Sequence, residues 1–370
     1  MNFVKILHTA DIHIGAAAGF LKQDAESRRF ETLITFERII DLAVQNNVDL
    51  IAIAGDLFDS EKVEDVFVDA VFKKITECNI KTVYCAGNHD PLNSSSPFLT
   101  RPLPQNLFVL GETDECIIFD DIKTRVYGRS FVNSSLKGEE RFTIPVEQDD
   151  YINIMVQHGE LKNDLSSEYN SITQKFISSS GMDYIALGHI HKSSPIGKIN
   201  NTSFAYCGCP EGQGFDELDQ KGIYLGEIYK GKADLKFIPV SKRKHIHIKI
   251  DITDVSDIVT HILNVLKETY PDYTQNLYKI ELIGKIDTNL FLNIAEITTR
   301  LCEKLYFVKV KDSTEFKIDL ETIKNDPSLK GIFVKNMLLK IDETQNKEIY
   351  KKALKIGLKA FDSEVIYNED

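Results

Sequence analysis

The chain has 370 residues, 42% of them hydrophobic and 27% charged, with a formal net charge of −12. This is the make-up of a soluble globular protein with enough length for two or three cores, and its acidity excludes a protein that coats polyanions through general charge. It does not exclude a nuclease, because bound cations neutralise local carboxylates and a basic strip on one face can meet phosphates.

No apolar run approaches the roughly 20 residues that cross a bilayer. Met1 to Lys5 leads straight into a strand pattern, so the chain reads as cytoplasmic with no membrane association. The six cysteines are scattered, and Cys207-Gly208-Cys209 has no matching second half, which excludes a zinc ribbon or a disulfide framework.

Lys5 to Ala10 reads as a strand that delivers Asp11 and His13 into a loop. Leu33, Phe36, Ile40 and Ala43 recur at helical spacing, which predicts a crossover helix from Arg28 to Gln45. The apolar run Leu50 to Ala54 then predicts a buried strand, closed by Gly55 so that Asp56 lies at its carboxyl end. A helix over Val63 to Cys78 and a strand over Thr82 to Ala86 follow, ending at Gly87-Asn88-His89-Asp90. Such βα units imply a parallel sheet with right-handed crossovers.

Pro91 to Gln105 is rich in Ser and Pro and reads as a loop beside the site. Leu107 to Leu110, Cys116 to Phe119 and Lys123 to Gly128 read as antiparallel strands. Ile152 to Val156 ends at Gln157-His158, a helix spans about Ser171 to Ser178, and Tyr184 to Leu187 ends at Gly188-His189-Ile190-His191. Ser203 to Cys207, Gly222 to Ile228 and Leu235 to Val240 are expected to complete a second sheet. The fold class is α/β, an α+β sandwich of two sheets flanked by helices over residues 1–240, with the polar motifs along one edge.

A boundary falls at Ser241-Lys242-Arg243-Lys244. Beyond it a βαβαβ pattern predicts a small α/β domain over 245–318, including a helix over Leu290 to Lys304, and 320–370 reads as a helical segment. Leu338, Ile341, Ile349, Leu354 and Leu358 are its apolar anchors. His245 and His247 fall on alternate strand positions in a basic stretch and read as solvated.

The strand-end motifs supply what a pair of divalent cations needs, a bridging carboxylate flanked by nitrogen and oxygen ligands. Asp11, His13 and His191 can surround one cation and Asn88, His158 and His189 the other, with Asp56 between them. Such a donor set without thiolate suits Mn²⁺, Fe²⁺ or Zn²⁺, and its share of hard oxygens favours Mn²⁺. The cations would acidify a shared water for in-line attack on phosphorus and neutralise phosphoryl oxygens. His89 is left over once the ligands are assigned and is the candidate general acid, oriented by either Asp59 or Asp90.

The ordered set Asp-x-His, Gly-Asp, Gly-Asn-His-Asp, His-Gly and Gly-His-x-His resembles the calcineurin-like metallophosphoesterase superfamily over about Met1 to Val240. More narrowly, His8 to Gly15, Ala54 to Asp59 and Leu187 to Lys192 are similar to the SbcD-type DNA repair exonucleases, including their YhaO-like bacterial branch. Tyr206 to Gly212 resembles that family's Tyr-x-Gly-Ser-Pro-Glu segment, with Cys209 in place of the Ser. The resemblance implies a Mn²⁺-dependent exonuclease or endonuclease acting on double-stranded DNA ends or single strands, with a capping domain after the phosphoesterase domain. It also implies an SbcC-like ATPase of the SMC type as partner, docked on the C-terminal helices, and by analogy a homodimer. Asp59 stands where archaeal and eukaryotic relatives have His, which bears on how a DNA end is oriented.

Candidate phosphate contacts are Arg28, Arg29, Arg101, Lys192, Lys242, Arg243 and Lys244, taken as a set near the metal edge. The rival enzymatic reading is a small-molecule phosphodiesterase, for instance of cyclic nucleotides; the non-enzymatic one is a scaffold with an inactive site. A phosphoprotein phosphatase is disfavoured, since Ser60-Glu61 replaces the Arg-Gly expected after its second motif.

Overall fold

The computed structural model describes residues 2–16, 25–136, 144–164, 166–218, 220–287, 292–317 and 320–362. Two compact units divide the chain, Met1–His245 and Ile246–Asp370. Among the described residues no helix is long and apolar enough to cross a membrane.

The first half of the first unit runs β1 (Phe3–Thr9), α1 (Ala25–Gln45), β2 (Leu50–Ala54), α2 (Asp65–Cys78), β3 (Lys81–Cys85), α3 (Pro97–Thr100), β4 (Leu107–Val109), β5 (Glu115–Phe119) and β6 (Thr124–Gly128). It continues through β7 (Ile152–His158), β8 (Glu160–Leu161), β9 (Ser171–Ile172), α4 (Gln174–Ser179), β10 (Tyr184–Gly188), β11 (Gly197–Ile199), β12 (Thr202–Tyr206), β13 (Gly222–Tyr229) and β14 (Lys232–Pro239). Two six-stranded mixed sheets result, in the orders β14-β13-β1-β2-β3-β4 and β11-β12-β10-β7-β6-β5.

Side-chain alternation packs the sheets and their helices with three apolar cores between the layers. On β1 and β2, Ile6, Ala52 and Ala54 face a core shared with Ile154, Val156 and Ala186 of the second sheet. Their neighbours Leu7, Ile51 and Ile53 face outward onto Phe36, Ile39 and Ile40 of α1 and Phe67 and Val71 of α2. Met155, Ile185 and Leu187 likewise face Ile177 of α4 on the far side. Every residue of β2 is therefore buried, which is why that strand is apolar throughout.

Two expectations about strand pairing are corrected. Leu107–Val109 joins β3 in parallel rather than antiparallel, since the chain crosses over through α3 and the loop after it. Gly222–Tyr229 and Lys232–Pro239 do not extend the second sheet; they form a hairpin that pairs antiparallel with β1 at the edge of the first. Strand pattern reports which faces are buried, and either sheet offered the same apolar environment.

The second unit contains β15 (His245–Asp251), α5 (Ile258–Thr269), β16 (Leu277–Ile283), β17 (Lys285–Ile286), α6 (Ile294–Cys302), β18 (Phe307–Asp312), β19 (Glu315–Phe316), α7 (Leu320–Lys324), α8 (Leu329–Glu343) and α9 (Lys347–Asp362). Of the helix expected from Leu290, the part seen is Ile294–Cys302; Leu290 itself lies outside the described residues, as do 363–370 at the end of the helical segment. A three-stranded sheet β15-β16-β18 packs Ile250, Tyr278 and Ile280 against Ile262, Leu266 and Leu301. Val334 of α8 meets Leu354 and Leu358 of α9, leaving Ile349 64% exposed where the sequence suggested an anchor.

Candidate metal centre

The ends of β1 and β2 are held together beyond the strands themselves. Asp11 N–H donates to Gly55 O (3.0 Å), His13 N–H to Asp56 O (3.0 Å) and Ile14 N–H to Leu57 O (2.9 Å). This continued pairing brings the first two motifs side by side. Asp11 (φ 51°), His13 (φ 50°), Asp56 (φ 50°) and His189 (φ 94°) all sit at positive φ, an unfavourable conformation for residues with a Cβ. Four such residues at one strand edge motivate the hypothesis that their side chains are held there for function.

Two glycines set how closely the sheets approach there. A Cβ on Gly188 would lie 1.8 Å from Ala54 O, and one on Gly55 would lie 2.1 Å from His158 Nδ1. Gly188→Ala is therefore expected to cost about 1–3 kcal/mol through overpacking, seen as a lowered urea midpoint. An unchanged midpoint would mean the sheets can part at this edge without loss.

Asp11, His13 and His191 converge, as do Asp11, Asp56 and His158. Asn88 Oδ1 lies 3.0 Å from His158 Nε2 and 3.1 Å from His189 Nδ1. Asp56 Oδ2 stands between the groups, 3.8 Å from His13 Nε2 and 3.4 Å from His158 Nε2. Asp11, His13, Asp56 and His158 are almost completely buried.

The hydrogen bonds behind the rings define what these atoms present. His13 Nδ1 donates to Asp59 Oδ1 (3.1 Å), His158 Nδ1 to Ala54 O (2.9 Å) and His191 Nδ1 to Glu217 Oε1 (2.6 Å), each to an oxygen that can only accept. In each neutral ring Nε2 is then a lone pair. Yet His13 Nε2 and His191 Nε2 lie 3.1 Å apart, and His158 Nε2 faces Asn88 Oδ1 and Asp56 Oδ2. Acceptors placed against acceptors call for a proton or a cation between them. The donor set fits a pair of divalent cations.

Titration follows the same crowding. Burial alone would depress His13, but its bond to Asp59 and the nearby Asp56 and Asp11 carboxylates raise it to about 9. A cation would take the place of that proton. Burial, with His158 beside it, lowers His189 to about 4, so its ring stays neutral and available as a ligand. Burial lifts the Asp11 carboxyl above its ordinary range; for Asp56 burial is outweighed by His158, His13 and His89, which hold it below.

His89 lies at the rim, exposed, its ring edge-on to His13 with centroids 4.7 Å apart. Its N–H donates to Asp56 Oδ1 (2.9 Å), and its Nδ1 faces the main-chain oxygen of Asp59 (3.1 Å). The carboxylates named as alternatives to orient His89 are both otherwise engaged. Asp59 serves His13, and Asp90 accepts the N–H groups of Phe58 (2.9 Å) and Gly87 (3.0 Å), tying the second and third motifs together.

The candidate phosphate contacts divide by burial. Arg28 is buried and donates to Glu31 Oε2 (2.7 Å), Glu211 Oε2 (3.1 Å) and Gly212 O (2.8 Å). Arg243 is buried with both Nε (2.9 Å) and a terminal nitrogen (2.6 Å) on Glu31 Oε1, and Lys242 Nζ reaches the same oxygen (3.0 Å). Arg29 pairs with Glu64 (2.6 Å), and Arg101 with Asp65 and Asp69. Arg28 and Arg243 thus neutralise the buried Glu31 and Glu211 instead of facing solvent. Lys192, next to His191, and Lys244 are exposed. His245, read from sequence as solvated, is in fact buried, against Gly212 and edge-on to Phe215, and burial lowers it to about 4; His247 is exposed.

Burial of Glu31 would raise its carboxyl, but hydrogen bonds from Arg243, Arg28 and Lys242 bring it down to about 2. A depressed folded value means this group's stabilisation is complete above the unfolded carboxylate range and lost as pH falls through it toward 2. Glu31→Ala, which takes one carboxylate away from two buried guanidinium groups, is expected to cost about 3–5 kcal/mol at pH 7. The wild type should lose urea resistance below about pH 4 more steeply than the variant; parallel pH profiles would sink the assignment.

Glu217 was not apparent in the sequence, nor were Glu160, 3.7 Å from His189 Nε2, and Tyr169, whose ring lies tilted against that of His189 with centroids 4.6 Å apart. Glu217 and Tyr169 come from loops and Glu160 from the two-residue strand β8, and their spacing to the motifs follows no pattern. Glu211 was in view only as part of the Tyr206 to Gly212 segment.

The fold and this strand-edge centre define a metallophosphoesterase. A family model for calcineurin-like phosphoesterases matches residues 4–193, and the chain belongs to that family. It is similar to an uncharacterized metallophosphoesterase, YhaO, of Bacillus subtilis, at 26% identity over 274 residues, 71% of this chain and 67% of that protein. It is also similar to the DNA double-strand break repair protein Mre11 of Methanopyrus kandleri, at 25% over 272 residues, 66% of this chain and 59% of that one. The Mre11 of Saccharolobus solfataricus matches at 25% over 395 residues, covering 95% of this chain and 98% of its own.

Proposed function

We propose that this chain is a Mn²⁺-dependent DNA nuclease of the SbcD type, cleaving phosphodiesters at DNA ends or in single strands. The observation that carries the reading is the convergence of His13, His158, His189 and His191 with Asp11, Asp56 and Asn88 beside an exposed His89. Similarity to DNA repair proteins directs it toward DNA. Asp11, His13 and His191 would hold one cation and Asn88, His158 and His189 the other, with Asp56 shared. The bound pair would supply Lewis acidity at the phosphoryl oxygens and a water acidified enough to attack at neutral pH.

The chain's own residues do the rest. Asp59, Ala54 O and Glu217 keep Nε2 of their histidines unprotonated and aimed inward. The neighbouring Asp59 carbonyl takes the His89 Nδ1–H, so that in the imidazolium form the Nε2–H is the donor that passes its proton to the leaving oxygen and the ring is left neutral. Lys192, Lys242 and Lys244 are the exposed members of the candidate phosphate contacts, with Arg29 and Arg101 paired to carboxylates at part-exposed positions.

The second unit is read as a cap of 245–318 followed by a partner-binding helical segment. Leu329 (72% exposed), Ile349 (64%) and Ile356 (70%) on α8 and α9 support a protein partner there, and the resemblance makes an SbcC-like ATPase its proposed identity.

The test is cleavage of end-labelled double-stranded DNA in Mn²⁺, with EDTA and His89→Ala controls and a parallel cyclic-nucleotide assay. Metal-dependent shortening that disappears in both controls supports the nuclease. Intact DNA beside hydrolysed cyclic nucleotide would redirect the reading to a small-molecule phosphodiesterase.

A further inference from the structure

We infer that Glu217 is a positioning residue for His191, locking the ring so that Nε2 is presented to a cation, and that Cys209 and Lys221 hold Glu217 in that role. This rests on the metal-site reading above.

Glu217 Oε1 lies 2.6 Å from His191 Nδ1. Its other oxygen accepts from Gln213 N–H (3.0 Å) and Cys209 Sγ (3.3 Å) and lies 3.4 Å from Lys221 Nζ. The carboxylate is therefore saturated and cannot rotate without breaking several bonds. Lys221, itself buried, also donates to the His191 carbonyl (2.9 Å), which takes the Cys209 N–H as well (3.2 Å). One short segment thus grips His191 by its ring and by its main chain. Gly208, at φ 74°, allows that approach, since a Cβ there would sit 2.8 Å from the His191 carbonyl oxygen.

A carboxylate can only accept, so it fixes the proton on Nδ1 and increases the donor strength of Nε2. Asp59 does the same for His13. His191, Cys209 and Glu217 also lie close enough to hold a cation of their own. The Lys221 ammonium against Glu217 and the burial of the thiol argue instead for a support.

Full-length wild type, Glu217→Gln and Glu217→Ala would be stripped with EDTA and titrated with Mn²⁺ by calorimetry, with free Mn²⁺ followed by electron paramagnetic resonance. Wild type should bind two ions. Glu217→Ala should weaken one of them about 10–100-fold, and Glu217→Gln should fall between, because its amide oxygen still accepts the Nδ1–H without the charge. Metal-free melting temperatures separate this from a general loss of stability. If Glu217→Ala fails to fold, the near-isosteric Gln variant decides alone: weakened binding of one ion supports the role. Two ions bound with wild-type affinity in the folded variants would overturn the inference, whereas a wild type that binds no pair of ions would overturn the metal-site reading itself.

Discussion

Asp56→Asn is expected to abolish stable binding of both cations and to lower phosphodiester hydrolysis at least about 10³-fold, the upper end of what one misplaced electrostatic contact costs. The asparagine keeps an oxygen to accept the His89 N–H that Asp56 Oδ1 takes at 2.9 Å, so the loop carrying Asn88 and His89 should hold its place. What it removes is the negative charge between His13 Nε2 and His158 Nε2. Without that charge two cations would repel one another across a buried space with too few compensating carboxylates. The check is metal content by mass spectrometry together with turnover in Mn²⁺. Two bound ions and near-normal turnover would exclude Asp56 as the shared ligand.

His89→Ala should behave in the opposite way, keeping the cations while kcat falls about 10²–10⁴-fold, the range of a lost general acid. The ring is exposed and, although it gathers with His13 and Asp59 at the rim, it belongs to neither group that contains Asp11, so its removal leaves Asp11, His13 and His191, and Asp11, Asp56 and His158, in place. The loss should depend on the leaving group. A DNA strand departs as a basic alkoxide and needs the proton, whereas a p-nitrophenyl diester departs as a stable anion and should be hydrolysed almost as fast as by wild type. Equal losses on both substrates would assign His89 to binding, and loss of metal would make it a ligand.

Much of the site could be read along the chain because its parts are local. Each candidate ligand ends a strand, and a short apolar run closed by Gly and a polar residue is visible without knowing what lies opposite. His189 and His191 flank one apolar residue, so their proximity is a property of the peptide. The hydrogen bonds that aim them are a different matter. Glu217 reaches His191, and Ala54 O reaches His158, across distances in sequence that no periodicity encodes.

The basic residues show the same limit from the other side. Arg28 and Arg243 look like phosphate contacts in sequence because basic residues near the motifs suit phosphates; in the fold Glu31 and Glu211 take both, since a buried carboxylate must find a cation. Strand partnership was equally undetermined, and the Gly222–Pro239 hairpin went to β1 and not to the second sheet. Alternation tells which face of a strand is apolar, but both sheets present such a face. By itself, then, the sequence determined the layers and the strand-end residues that gather at one edge, because these depend on local pattern. Only the tertiary structure decided which sheet each strand joined, which charges were buried against one another and which way each imidazole points, because those follow from contacts between segments far apart in the chain.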